Sequence, residues 1–166
     1  DELDIIPCGT FKEVFATIKK DNSVIGVIAI ENTITGSLLP NHNLLKDSGL
    51  RIMGETKLRI EHNLVCLKGQ TIDDVHDVYS HPIALMQCED FLAQHPHLCA
   101  VESDDTAQSA KRIAENNIMG RAAICGKLAA DIYGLEILAS GIETNKRNFT
   151  RFLIIGDPWT ADEHLK

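Results

Sequence analysis

The eight residues Ser23-Val24-Ile25-Gly26-Val27-Ile28-Ala29-Ile30 run almost without a polar break and stop abruptly at Glu31-Asn32-Thr33. A run of this kind is too short to cross a membrane and too apolar to lie in water, so it reads as a buried strand. Uninterrupted apolar strands are the sort that a parallel sheet buries on both faces. Such a strand needs helices to cover it, and one precedes it: Phe11 to Lys20 places Phe11, Val14, Phe15 and Ile18 on one helical face.

The same alternation continues along the chain. A helix follows around Pro40 to Lys46, with Ser37 as a candidate cap. Arg51 to Glu55 and Lys57 to Leu67 read as two strands. A short strand enters at Asp77 and stops at Ser80-His81-Pro82, where Pro82 suits a first helical position and the helix runs to about His95. Cys99 to Glu102 is a strand. Ser103-Asp104-Asp105 caps a helix through Ile113, and Ala122 to Cys125 is a further strand. A helix from Lys127 to Tyr133 ends at Gly134, and strands at Leu135 to Ala139 and Phe149 to Ile155 complete the order. The fold class expected is therefore α/β. In such sheets ligands bind where strands give way to helices, and the polar clusters sit at those junctions.

Charge narrows the function. A formal net charge of −8 excludes a basic face for nucleic acid, and any anionic ligand has to be held by local donors against the overall field. The 44% hydrophobic and 24% charged composition is that of a soluble globular protein with no membrane partner. Cys8, Cys66, Cys88, Cys99 and Cys125 form no C-x-x-C pair. They read as small buried hydrophobes of a reducing, cytoplasmic compartment. No phosphate loop, dinucleotide fingerprint or nucleophile elbow is present, and His95 and His97 lack further metal ligands near them.

Three junctions remain. Asn32 and Thr33 end the apolar run, and residues of these types more often close a turn than form a site. Ser80-His81-Pro82 reads equally as a plain helix cap. Gln87 lies about two turns beyond Ser80 among Ile83, Ala84 and Cys88, where its amide has to find partners or solvent. Asn148-Phe149-Thr150-Arg151-Phe152 enters the last strand, and alternation puts Thr150 and Arg151 on opposite faces.

The succession Glu31-Asn32-Thr33-Ile34-Thr35-Gly36-Ser37, Ser80-His81-Pro82-Ile83-Ala84-Leu85-Met86-Gln87-Cys88, Asp104-Asp105-Thr106-Ala107-Gln108-Ser109-Ala110 and Asn148-Phe149-Thr150-Arg151-Phe152 resembles the prephenate dehydratases. That family shows E-N-S-x-x-G-S, S-H-P-Q-A-L-x-Q-C and T-R-F elements in this order. Thr33 stands where serine is usual and keeps the hydroxyl on a stiffer side chain. Ile83 stands where glutamine is usual, so any polar contact made there is lost. The opening G-P-x-G-T-F-S turn of the family has no counterpart here: Gly9-Thr10-Phe11 aligns with the helix before the strand. A C-terminal ACT domain, through which phenylalanine commonly acts in the family, is not expected, since ten residues follow Gly156.

The resemblance implies two lobes with mixed or parallel sheets, similar to a type II periplasmic binding protein with the cleft between lobes. Lobe one would comprise residues 1–76 plus 148–166 and lobe two residues 77–147, with hinge crossings near Asp77 to Ser80 and Asn145 to Asn148. It implies conversion of prephenate to phenylpyruvate, carbon dioxide and water, with no cofactor or metal, by a homodimeric enzyme of phenylalanine biosynthesis. Thr150 matches the residue credited with assisting departure of the hydroxyl. Asn32, Thr33, Ser80, Gln87 and Arg151 match substrate-binding positions, with Arg151 either a carboxylate clamp or a support from behind. His81, Phe152 and Thr106 would support the site. Uncharged donors suit a dicarboxylate on an acidic chain. Two other readings stay open: an arogenate dehydratase, and a non-catalytic two-lobed module that holds a small carboxylate.

Overall fold

The computed structural model describes residues 3–159, so the expectations for 1, 2 and 160–166 lie outside the described residues. The chain forms two compact units, residues 1–59 with 148–166, and residues 60–147.

The first unit is a four-stranded sheet under two helices. Helix α1 (Phe11–Lys20) is capped by the Thr10 side chain, which accepts from the Glu13 backbone N–H, and it buries Phe15 and Ile18. Strand β1 (Gly26–Asn32) follows, then the two-residue β2 (Gly36–Ser37) and helix α2 (Leu39–Ser48), which ends at Gly49 in the left-handed conformation. The N-cap of α2 is Leu38, which makes no side-chain cap bond. Ser37, the candidate cap, belongs instead to β2. Strand β3 (Arg51–Arg59) runs through Thr56, where a break was expected; the second of the two expected strands starts later, at Asn63. The last strand lies between β1 and β3. In this sheet every pairing is antiparallel. The expectation of a parallel strand buried on both faces at Ser23 to Ile30 is therefore corrected: Ile28 and Ile30 are buried, but Val27 is 54% exposed. Periodicity missed this because Val27 and Ala29 are apolar residues on a half-open face.

The core of this unit joins Phe15, Ile18, Ile28, Ile30 and two residues of the last strand, Leu153 and Ile155. Gly26 lets α1 approach the sheet. A Cβ there would stand 2.6 Å from the Ile18 Cδ1 and 2.8 Å from the Val14 Cγ1.

The second unit is a five-stranded mixed sheet. Its strands are β4 (Asn63–Cys66), β5 (Asp77–Ser80), β6 (Cys99–Glu102), β7 (Arg121–Cys125) and β8 (Glu136–Ala139), in the order β6-β5-β7-β4-β8. β5 runs parallel to β6 and β7, while β4 is antiparallel to β7 and β8. β4 and residues Ala122 to Cys125 of β7 are the strands buried throughout. One apolar cluster gathers Ala84, Leu85 and Cys88 against Val78 and Ile124, and the other gathers Ala110, Ile113 and Ala130 against Val65 and Ala123. The helices are α3 (Pro82–Gln87), α4 (Glu89–Gln94), α5 (Thr106–Glu115) and α6 (Lys127–Tyr133). The single helix expected from Pro82 to His95 is broken at Cys88, whose φ of −110° and ψ of 19° leave the helical region.

Residues 60 to 76 were expected in lobe one. They belong to the second unit, because β4 pairs with β7 and β8, and the crossing falls at Arg59 and Ile60, not near Asp77. Three cysteines are buried, Cys8 is half-buried and Cys99 is exposed, so the uniformly buried set was expected too broadly. Burial pushes the Cys88 and Cys125 thiols up to about 12. Cys66 is pushed up to about 11, by burial first and then by the Glu136 and Asp74 carboxylates.

Two outcomes follow from this packing. Gly26→Ala overpacks the α1–β1 contact and destabilises by about 1–3 kcal/mol in urea denaturation. Gly54→Ala, whose Cβ would meet only Ile154 Cδ1 at 3.6 Å, changes the midpoint far less. A thiol-specific disulfide reagent at pH 8 reacts with Cys99 and more slowly with Cys8 in the native protein. It reaches Cys66, Cys88 and Cys125 only after unfolding.

Candidate functional site

The expected site residues fall into two sets. Asn32, Thr33, Thr150, Arg151 and Phe152 lie in the first unit; Ser80, His81, Gln87 and Thr106 lie in the second.

The first set is assembled by strand β9 (Phe149–Gly156), whose register puts Thr150 opposite Asn32 and Arg151 opposite Glu31. A shift of register between Ala29 and Glu31 re-aims the end of β1. Asn32 is the hub. Its Nδ2 donates to Asn148 Oδ1 at 2.8 Å, to the Thr150 Oγ1 at 3.1 Å and to the Phe149 carbonyl at 3.2 Å. Its Oδ1 accepts from the Ile34 and Thr35 backbone N–H groups at 2.9 and 3.1 Å. The residue thus closes a turn and holds the Thr150 hydroxyl at once. Thr33 completes the clasp: its N–H donates to the Phe149 carbonyl, and its Oγ1 accepts from the Phe149 N–H at 2.9 Å. A serine would serve equally, so the departure at this position keeps the contact.

Asn148 was not singled out from sequence, yet it is fully buried and anchors Asn32. Its position beside Thr150 was the only available signal. Alternation along β9 places Phe152 on the Thr150 face and Arg151 on the opposite one. The Arg151 guanidinium is bound by Glu55 and lies 3.9 Å from Glu31. These carboxylates already engage the charge, which favours the support role for Arg151 over the clamp.

In the second unit, Ser80 is fully buried at the end of β5 and donates its hydroxyl proton to the Ile124 carbonyl at 2.7 Å. That bond fastens β5 to β7 beyond their ladder and engages the hydroxyl that the resemblance assigned to substrate. His81 caps α3 by accepting from the Ile83 N–H at Nδ1. That contact puts the ring proton of the neutral form on Nε2. Thr106 opens α5, whose cap is the Asp105 side chain accepting from the Gln108 N–H at 2.8 Å. Gln87 ends α3 with its side chain buried, its Oε1 2.7 Å from His62 Nε2. His62 was also not foreseen; the 25 positions separating it from Gln87 leave no local pattern. Among the described residues, no three His, Cys, Asp or Glu side chains gather as a metal site would need.

Chemically, a threonine hydroxyl that accepts from an amide N–H has one lone pair occupied and its own O–H polarised for donation. Its side-chain partner among the described residues is the Asn32 amide. Asn32→Asp removes both Nδ2 hydrogens and sets a carboxylate against Asn148 Oδ1 and the Phe149 carbonyl. It is expected to lower stability by about 1–3 kcal/mol in chemical denaturation.

The family model for prephenate dehydratase matches residues 1–159. Arogenate dehydratase/prephenate dehydratase 2, chloroplastic, of Arabidopsis thaliana is 40% identical over 152 residues, covering 92% of this chain and 40% of that protein. Among solved structures, the prephenate dehydratase of Arthrobacter aurescens in complex with L-Phe superposes with a TM-score of 0.84 at 28% identity, covering 92% of this chain and 52% of that one. GqqA, described as a novel type of quorum-quenching acylase, superposes with a TM-score of 0.81 at 33% identity over 92% of this chain and 55% of that one. The chain spans about two fifths of the length of the curated relatives it matches. A family model that matches residues 1–159 spans both units and every described residue: the chain belongs to the prephenate dehydratase family.

Proposed function

We propose that this chain catalyses the decarboxylating dehydration of prephenate to phenylpyruvate, as the catalytic part of a dehydratase for phenylalanine biosynthesis. The two units would be the two lobes of that catalytic domain. The observation that carries the reading is the Asn32 Nδ2 donation to Thr150 Oγ1 at 3.1 Å.

The substrate carries a ring carboxylate and, across the ring, a hydroxyl. As the bond to the carboxylate breaks, carbon dioxide leaves and the electron pair moves through the ring to expel the hydroxyl. That hydroxyl needs a proton to depart as water. Thr150 is the donor in this reading. Asn32 holds its oxygen from one side and so directs its proton to the other, while Asn148 and Thr33 keep Asn32 and the Phe149 backbone in place. Threonine is a weak acid, so the donation is a directed hydrogen bond that strengthens as charge develops on the leaving oxygen. Ser80 and Arg151 are left with structural roles.

The second reading, arogenate as substrate, is favoured by the double name of the Arabidopsis relative. The acylase described for GqqA would need an activated nucleophile. Thr150 is hydrogen-bonded by an amide and not by a base, and the buried thiols are held protonated.

Purified protein incubated with prephenate is expected to release phenylpyruvate, followed by its absorbance in alkali, with slower turnover of arogenate. Thr150→Ala lowers kcat by about 10²–10⁴-fold with little change in KM, and Thr150→Ser retains much of the rate. Equal rates for wild type and Thr150→Ala, or amide hydrolysis without prephenate turnover, would overturn the assignment.

A further inference from the structure

We propose that the second unit carries a binding pocket for a phosphate group, built by Arg112, Arg121 and Tyr79. None of these residues belongs to the candidate site described above, so the pocket stands or falls independently of the dehydratase reading.

The pocket follows from strand register and helix spacing. β5 and β7 run parallel with Asp77 opposite Arg121 and Tyr79 opposite Ala123, so alternation puts Tyr79, Arg121 and Ala123 on one face of the sheet. Ala123 packs there against Ala110 and Ile113 of α5, which identifies the face that this helix covers. On α5, Ser109, Arg112 and Ile113 stand at helical spacings of three and four and share the side turned to the sheet. Between them lies a cavity of about 130 Å³, lined by these α5 residues together with Tyr79, Arg121 and Ser103. Every lining residue falls within 60–147, so one unit holds the whole pocket. A water molecule takes about 30 Å³ of liquid. The space therefore suits a compact oxyanion and leaves any attached body outside.

The walls divide into groups that are engaged and groups that are not. The Ser103 and Ser109 hydroxyls bond to each other at 2.8 Å and tie the loop after β6 to α5. The Arg121 Cζ lies 5.4 Å from the centre of the Tyr79 ring, and Asp77 Oδ2 lies 3.3 Å from Arg121 Nε. Asp104 Oδ2 is 3.9 Å from Arg112 Nη2, beyond hydrogen-bond reach, and its side chain is 96% exposed. Among the described residues neither guanidinium has a further polar partner, and the Tyr79 hydroxyl makes no hydrogen bond. Each guanidinium carries five N–H donors, so most of them remain to be satisfied by water or an anion.

Charge selects the anion. Two guanidinium groups on one small pocket stand out on a chain of net charge −8. A phosphate near neutral pH carries roughly 1.5 to 2 negative charges and matches both, whereas a single carboxylate would leave one cation unmatched. The Tyr79 hydroxyl adds a neutral donor beside them.

Isothermal titration calorimetry of the full chain at fixed ionic strength, with chloride as the background anion, tests this. Inorganic phosphate is expected to bind saturably at one site, and acetate at least tenfold more weakly. Glycerol 3-phosphate in a parallel arm separates a free anion from the phosphate end of a larger molecule, according to which of the two binds tighter. Arg112→Gln and Arg121→Gln are each expected to weaken binding about tenfold, and Tyr79→Phe about threefold. Asp104→Asn, which removes a competing carboxylate from an exposed position, is expected to tighten it. Thermal unfolding is recorded for each variant; if Arg121→Gln does not fold, Arg112→Gln and Asp104→Asn decide. Absence of saturable binding at millimolar phosphate would overturn the proposal. So would wild-type affinity in folded Arg112→Gln, or acetate binding as tightly as phosphate.

Discussion

The first unit depends on one long-range pairing, the insertion of β9 between β1 and β3. Among the described residues, β1 has otherwise only the two-residue β2 beside it, and β3 has no other neighbour in the sheet. The pairing contributes Leu153 and Ile155 to the core that α1 and α2 cover, and it sets Asn32 opposite Thr150. Local propensity places neither residue there. A slip of one position would turn Thr150 to the helix side of the sheet and present Arg151 where the hydroxyl belongs. The apolar alternation of β9 guards against that slip, because Leu153 and Ile155 would lose their burial in the same movement.

The polar groups at the edges of the second unit act in a similar way. Ser80 to the Ile124 carbonyl, His62 to Gln87, Asn63 to Gly141 and Thr144 to Gln87 are bonds between elements and not within them. Each makes only a small net contribution to stability, yet each leaves a buried polar group unsatisfied if its partner is displaced. They therefore select one arrangement of β5, α3 and the segment around Glu143, more than they add to the strength of the core.

Much of this was legible in the sequence and some was not, for physical reasons. Caps and breakers act over a few residues, so Pro82, Asp105 and Gly134 mark their helix ends where they were expected. Strand direction depends on partners far away in the chain. The run at Ser23 to Ile30 therefore suggested a parallel strand, while the strands buried on both faces were the shorter β4 and β7. The break at Cys88 and the continuity of β3 through Thr56 also depend on tertiary neighbours. At the site, Asn32 and Thr150 were readable because a motif order carried them. Asn148 and His62 were not, since a hydrogen bond across 116 or 25 positions leaves no periodic trace. Ser80 shows the converse: a motif residue whose hydroxyl is spent inside the sheet.

The discontinuity of the first unit also imposes an order on synthesis. Residues 60–147 are contiguous and hold every strand of their own sheet, so they can close while the chain is still emerging from the ribosome. Residues 11–59 emerge earlier but must wait, with the apolar residues of β1 uncovered, until a segment more than a hundred positions later arrives. That interval is when the nascent chain is most exposed to sticking and to chaperones. The strand that ends it also carries Thr150, so a chain stalled before that point has neither a finished first sheet nor the partner of Asn32.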